Sequence, residues 1–177
     1  MKGKRTADSV AFILHPSAFI LALMRLRLIW VGKTRNEHLR ALAGDYLKRL
    51  SRFARCEVLE IRESGATDER TCLEEEGKRI MGALASDALA VLLDVSGTTL
   101  WSSEALAAQV ENWQTRSVRE VAFVVGGHLG VSEEVRARAD VRWSLSPLTL
   151  THEMARVVLA EQLYRAYTIV RGVPYQK

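Results

Sequence analysis

The chain has 177 residues, 48% hydrophobic and 26% charged, with a formal net charge of +4. This is the balance of one soluble globular domain with a real core, and it excludes collagen-like, low-complexity and intrinsically disordered chains. Two cysteines, Cys56 and Cys72, in no CxxC pair and no Cys/His cluster at ligand spacing exclude a disulfide scaffold and a zinc finger, so no metal is expected.

In chain order, residues 1–23 stand apart. Lys2, Lys4 and Arg5 precede an apolar stretch from Val10 to Leu23 that superficially resembles a signal peptide. His15 and Pro16 interrupt it, no A-x-A site follows, and it is too short and broken to span a bilayer. We read it as an upstream extension, with a single domain occupying 24–177.

From Met24 onward, strand and helix patterns alternate. Leu26, Leu28, Ile29 and Val31 predict a strand over 25–31 that ends at Gly32. Leu39, Leu42, Ala43, Tyr46, Leu47 and Leu50 predict an amphipathic helix over 36–53. Residues 57–61 alternate as a short strand. Thr67 or Asp68 caps a helix running to about Leu84.

Residues 89–93 form an apolar run of strand length, which suits the centre of a parallel sheet. Ser102 or Ser103 starts a helix to about Trp113. Residues 121–125 form a second buried strand that ends at Gly126-Gly127. A short helix over 132–139, an extended segment over 141–145 and a helix over 151–168 complete the pattern. The alternation predicts one α/β domain with a mostly parallel sheet flanked by helices.

The last helix carries apolar residues around nearly its whole circumference, among them Met154, Val157, Val158, Leu159, Leu163, Tyr164 and Tyr167. A helix of that kind needs cover on more than one side. The sheet supplies one cover. For the other, a second subunit is the natural candidate; burial within a monomer is the alternative, but a domain this small has few places to hide a helix. Glu161 and Arg165, four residues apart, can pair.

Charge is segregated along the chain. Residues 25–55 hold nine basic side chains against two acids, and residues 56–104 hold eleven acids against four bases. A basic face for a polyanion and a solvated, solubilising helix both fit this layout.

Three segments follow apolar strands and are rich in small or turn-forming residues: 93–97, 126–130 and 145–151. In open parallel sheets, ligands bind beyond the carboxyl ends of the strands. Backbone groups there could bind an adenine edge and ribose hydroxyls, with Leu93, Leu148 and Leu150 sandwiching the base. The Gly126-Gly127-x-x-Gly130 loop lacks the GxGxxG spacing and downstream acid of a dinucleotide fingerprint, which argues against a dehydrogenase. It also lacks the GxxxxGK[ST] of a P-loop.

A set of motifs in fixed order is more specific. These are Val124-Val125-Gly126-Gly127-x-x-Gly130-x-Ser132; Trp143-Ser144-Leu145-Ser146-Pro147-Leu148-Thr149-Leu150-Thr151-His152; Arg156-Val157; Glu161-Gln162-Leu163-Tyr164-Arg165-Ala166; and Pro174-Tyr175. The start Leu26-x-Leu28-Ile29-x-Val31-Gly32-Lys33 and Leu93-Asp94-x-x-Gly97 belong with them. Together they resemble the bacterial 23S rRNA pseudouridine N3-methyltransferase H family of the SPOUT superfamily, from Met24 to Lys177.

The resemblance implies a SPOUT α/β fold with a C-terminal trefoil knot, a rare topology. It also implies a homodimer and S-adenosyl-L-methionine as cofactor, held by Leu93, Gly127, Ser146, Pro147, Leu148, Thr149, Leu150 and Thr151; the two unpaired cysteines make a reducing cytoplasm the simplest compartment. The implied reaction is methylation of a pseudouridine N3 in 23S rRNA within the ribosome, with neither metal nor membrane.

Three residues are catalytic candidates. His152 orients substrate or handles the N3 proton, or else caps the helix or makes a structural hydrogen bond. Arg156, like Arg165, contacts phosphate or makes a structural ion pair. Tyr175 stacks on the target base, or anchors the tail. Two departures bear on this. The family tail ends Pro-Tyr-His where this chain has Gln176, which cannot act as a base near neutral pH. His128 replaces a proline in the glycine loop and reads as exposed and incidental. A SPOUT enzyme acting on another RNA, such as tRNA, and a non-catalytic ribosome-binding protein are the alternatives.

Overall fold

The computed structural model describes residues 24–99 and 101–175. The expected extension over 1–23 and Gln176 therefore lie outside the described residues. The elements alternate: β1 (Arg25–Val31), α1 (Glu37–Leu50), β2 (Arg55–Ile61), α2 (Glu69–Ala83), β3 (Leu89–Leu93), α3 (Ser103–Thr115), β4 (Glu120–Val125), α4 (Glu133–Arg138), β5 (Val141–Trp143) and α5 (His152–Val170).

Local chemistry sets the helix starts. Asn36, Asp68, Ser102, Ser132 and Thr151 are all N-caps in extended conformation, and each side-chain oxygen accepts a backbone N–H of the first turn. Gly32, at φ +77°, turns the chain out of β1, a conformation that costs glycine little. The extended segment expected over 141–145 pairs only to Trp143. Beyond it Ser144 leaves the β3 partner and donates its N–H to the Thr99 carbonyl at 2.9 Å.

The strands form one fully parallel sheet in the order β2-β1-β4-β3-β5. Its register places Glu60, Trp30, Val125, Leu93 and Trp143 in a single row across all five strands. The loops that follow the strands therefore leave the sheet from one common edge.

Helices cover both faces. On one, α1, α3 and α5 pack Leu50, Leu106, Val110, Trp113, Leu159, Leu163 and Tyr167 against Leu26, Leu28, Trp30, Val91, Val121 and Phe123. On the other, α2 and α4 pack Ile80 and Val135 against Ile29, Val31, Ile61, Leu92 and Val124. Each large apolar side chain so buried contributes roughly 1.5–3 kcal/mol. This accounts for the continuous apolar runs of β3 and β4, which lie inside on both faces.

The all-round apolar character of α5 finds its cover within the chain. The helix lies between α1 and α3 on top of the sheet. Met154 and Ile169 are its exposed residues, and Val158, Glu161 and Arg165 are among those left half-buried.

Candidate functional site

The segment from Ser144 to Thr151 builds the site. It starts at β5, on one border of the sheet, and delivers α5 to the end of β1. It therefore crosses the carboxyl edge past β3 and β4, whose own loops are 94–102 and 126–132. Leu93, Gly127, Ser146 through Thr151 and His152 all belong to this edge, as the sequence predicts.

Hydrogen bonds hold the three loops in shape. Ser144 Oγ donates to the Ser146 carbonyl at 2.9 Å, and Ser146 Oγ accepts the Leu148 N–H at 3.0 Å. The Leu148 side chain is left 73% exposed, between exposed Pro147 and Thr149, while Leu93 and Leu150 are half-buried. Leu148 thus presents an apolar side chain to solvent.

Asp94 ties the loop after β3 to α4 and β5. Its carboxylate accepts from Arg136 Nη1 at 2.9 Å, Arg142 Nη2 at 3.0 Å, and the Ser96 N–H and hydroxyl at 2.9 and 2.8 Å. Burial alone would raise the Asp94 pKa. The Ser96 donors and the two guanidinium groups outweigh burial and hold it below the usual carboxylate range. The sequence motif includes Asp94, yet its partners 42 and 48 residues away carry no local signal.

Glycine is required at two turns. A Cβ at Gly97 would stand 2.6 Å from the Arg142 carbonyl oxygen, and one at Gly126 would stand 2.5 Å from that of Gly130. Only a bare backbone fits in either place. The Gly130 N–H donates to the Gly127 carbonyl at 3.1 Å, and Gly130 takes φ +86°. A Cβ at Gly127 would meet Glu76 Oε2 at 3.1 Å and Val31 Cγ1 at 3.4 Å, so the back of this residue faces α2 and β1.

The candidate catalytic residues separate. His152 opens α5 and is half-buried. Burial, then the charge of Arg156, lowers its pKa below the ordinary histidine value, against the opposing pull of Glu153 and Glu63. The cap of the helix is Thr151, whose Oγ1 accepts the Met154 N–H at 3.3 Å, so capping is not the task of His152. Glu153 accepts the backbone N–H groups of Arg35 and Asn36 at 2.8 and 3.1 Å, joining α5 to the start of α1.

Arg156 is 0% exposed. Its Nη1 donates to Thr34 Oγ1 at 2.9 Å, its Nη2 to the Val31 carbonyl at 2.5 Å, and its guanidinium lies 5.3 Å from the Trp30 ring centre. In this chain it reaches neither solvent nor Glu161. Glu161 instead pairs with Arg165, whose Nη2 and Nε lie 2.6 and 3.0 Å from Oε1.

Tyr175 packs against the middle of α5. Its hydroxyl donates to Glu161 Oε1 at 3.2 Å, its ring meets Tyr164 edge-on at 4.7 Å, and the Arg165 guanidinium lies 4.6 Å over it. Glu161 is about 13 Å along the helix axis from His152 at 1.5 Å per residue.

His128 is exposed, as expected. Cys56 is half-buried, and burial pushes its thiol up to about 12, which makes it unreactive near neutral pH. Among the described residues, no group of three His, Cys, Asp or Glu side chains could hold a metal, and no helix is long and apolar enough to cross a membrane.

Two grooves lie elsewhere. One of about 500 Å³ is lined by Ser86, Asp87, Ser117, Arg119, Arg138 and Asp140 at the amino ends of the strands, and one of about 600 Å³ runs between α2 and α4. Neither includes a candidate residue.

The family model described as "Predicted SPOUT methyltransferase" matches residues 24–176. The chain belongs to the SPOUT methyltransferase family. Over 154 residues it is 40% identical to a protein of Desulfotalea psychrophila named ribosomal RNA large subunit methyltransferase H, covering 87% of this chain and 100% of that one. A protein of the same name from Gloeobacter violaceus is 43% identical over 152 residues, covering 86% and 98%. A solved structure from Bordetella pertussis Tohama I, described as a probable methyltransferase, superposes with a TM-score of 0.52 at 13% identity, covering 84% of this chain and 98% of that one, and supports the fold alone.

Proposed function

We propose that this SPOUT methyltransferase transfers a methyl group from S-adenosyl-L-methionine to N3 of a pseudouridine in 23S rRNA of the large ribosomal subunit. The observation that carries the reading is the similarity at 40–43% identity, over nearly their whole length, to proteins named ribosomal RNA large subunit methyltransferase H. With it come the trefoil knot, the homodimer and the cytoplasmic location, as parts of the same proposal.

The residues present suit the cofactor. An adenine needs flat apolar cover and edge hydrogen bonds, and the exposed Leu148 with half-buried Leu93 and Leu150 offers the first beside open loop backbone. Gly127 and Ser146 through Thr151 would hold the adenosine. When bound, the donor supplies a methyl group on a positively charged sulfonium.

The chain's own task is to hold the acceptor in line and to take up the N3 proton. His152 is the group proposed for that proton, because its lowered pKa keeps it neutral and able to accept near pH 7. Arg156 is a positioning residue in this scheme: it fixes the start of α5, and hence His152, to the end of β1. Tyr175, anchored on Glu161 and Arg165, belongs to the rim approached by RNA or a second subunit. Met154, Val158 and Ile169 of α5 are the proposed dimer contact. The basic α1 is the proposed rRNA contact.

The test is methyl transfer from labelled donor to pseudouridine-containing ribosomes, with mass spectrometry of 23S rRNA from a deletion strain. Loss of the N3-methyl signal is expected. An unchanged signal would remove this substrate.

A further inference from the structure

Glu76 is a buried carboxylate to which the scheme above assigns no role. It is 3% exposed on α2, beneath the glycine loop. Its Oε1 accepts the Ser64 N–H at 2.9 Å and the Cys72 thiol at 3.6 Å. Its Oε2 lies 3.1 Å from the Cβ position of residue 127. The preceding residue, Glu75, is paired with Arg79 at 3.0 Å, whereas Glu76 has no Lys, Arg or His nitrogen within ion-pair distance among the described residues. The next residue, Gly77, is so close to Ser132 that a Cβ there would collide with its hydroxyl. Helix α2 is thus pressed against both ends of the glycine loop, and between them lies a buried acid that has no cationic partner among the described residues.

Burying a carboxylate without a cation costs several kcal/mol unless hydrogen bonds or a ligand charge offset it. Two donors on Oε1 offset part of that cost, and Oε2 lies against the loop that, on the reading above, holds the methyl donor. The donor carries a positive sulfonium, whereas the spent product is a neutral thioether with otherwise the same atoms. A fixed negative charge behind Gly127 distinguishes the two by a Coulomb energy that the protein's effective dielectric reduces but does not remove.

We propose that Glu76 is a positioning and specificity-determining residue: its buried carboxylate fixes the glycine loop from behind and makes the site prefer the cationic methyl donor over the neutral product. The proposal rests on the cofactor reading above and adds to it a residue outside the loops. It predicts easier product release, because transfer of the methyl group removes the charge that Glu76 favours.

The experiment is calorimetric titration of the full chain with S-adenosylmethionine and, separately, S-adenosylhomocysteine. The Glu76→Gln variant keeps an acceptor for Ser64 but no charge. Its affinity for S-adenosylmethionine is expected to fall about tenfold, the effect of losing about 1.4 kcal/mol of Coulomb attraction. Its affinity for S-adenosylhomocysteine should change less than about twofold on the same basis. Equal weakening of both would overturn the proposal and leave Glu76 a purely structural residue.

Glu76→Asp keeps the charge but shortens the side chain, and covers the case in which the Gln variant does not fold. Its preference between the two compounds should stay at the wild-type ratio even if both bind more weakly; a collapsed ratio would overturn the proposal. If the wild-type protein binds neither compound, it is the cofactor reading itself that fails.

Discussion

Arg156, in the first turns of the last helix, donates a hydrogen bond to the carbonyl of Val31 at the end of the first strand, 125 residues earlier. The contact is buried and, with the Thr34 hydroxyl, closes the path from β5 across the sheet edge. Arg156→Ala leaves a buried carbonyl and hydroxyl without their donor and opens a void, so it should cost about 2–4 kcal/mol of stability. Arg156→Lys keeps the charge but not the planar fork, and should recover only part. Urea unfolding of both variants measures this; a loss under about 0.5 kcal/mol for the alanine variant, the range of ordinary surface changes, would show the clamp to be idle.

His152 makes stability depend on pH. Its pKa is lowered in the folded state by burial and by Arg156, so the unfolded chain binds the proton more tightly. Stability is therefore full above the unfolded value, near 6.5, and falls as pH drops from there through the lowered folded value. His152→Gln should remove that part of the slope. Melting temperatures of both proteins between pH 7.5 and 5 should show the wild type losing more; parallel curves would mean that His152 titrates normally. The same variant should lower the rate of methyl transfer with little change in donor affinity.

Gly126→Ala places a methyl group against the Gly130 carbonyl and the Val131 side chain. Overpacking of this kind costs about 1–3 kcal/mol. Because the strain falls in the glycine loop, donor affinity should drop by more than tenfold, as about 1.4 kcal/mol converts. Gly127→Arg should abolish binding, but by driving the side chain into Glu76 and Val31 from behind, since its Cβ direction points there. Normal affinity in both variants would place the methyl donor elsewhere.

Arg49→Glu with Arg52→Glu tests the basic helix. Arg49 is held by Asp45 at 2.7 Å on the exposed side of α1, and Arg52 is exposed just beyond its end. Reversal should weaken ribosome binding, and the loss should shrink as salt rises, because counterion release supplies the affinity. Equal binding at low salt would leave α1 a solvated face. Thermal stability should hardly change, as surface ion pairs contribute about 0–1 kcal/mol.

What the sequence by itself determined is what depends on neighbours along the chain. The cap at Asp68, one of two candidates read, the apolar runs of β3 and β4, the Glu161–Arg165 pair and the loops that leave the strands are fixed by spacings of a few residues and were legible, whereas Asn36 and Thr151 were read as helix residues and are caps. The family motifs, read in order, pointed to the strand-end loops and to methyl transfer.

What only the tertiary structure decided is set by strand order. Placing β4 between β1 and β3 makes the segment 144–151 cross the sheet edge, brings α5 between α1 and α3, and gives Arg156 its partners on β1 and Thr34. The same packing puts Glu76 behind Gly127, anchors Tyr175 on Glu161, and covers much of α5 within the chain. Hydrophobic periodicity states how much of an element must be buried but not by which neighbour, because burial is non-directional and the choice of neighbour is made only when the sheet closes.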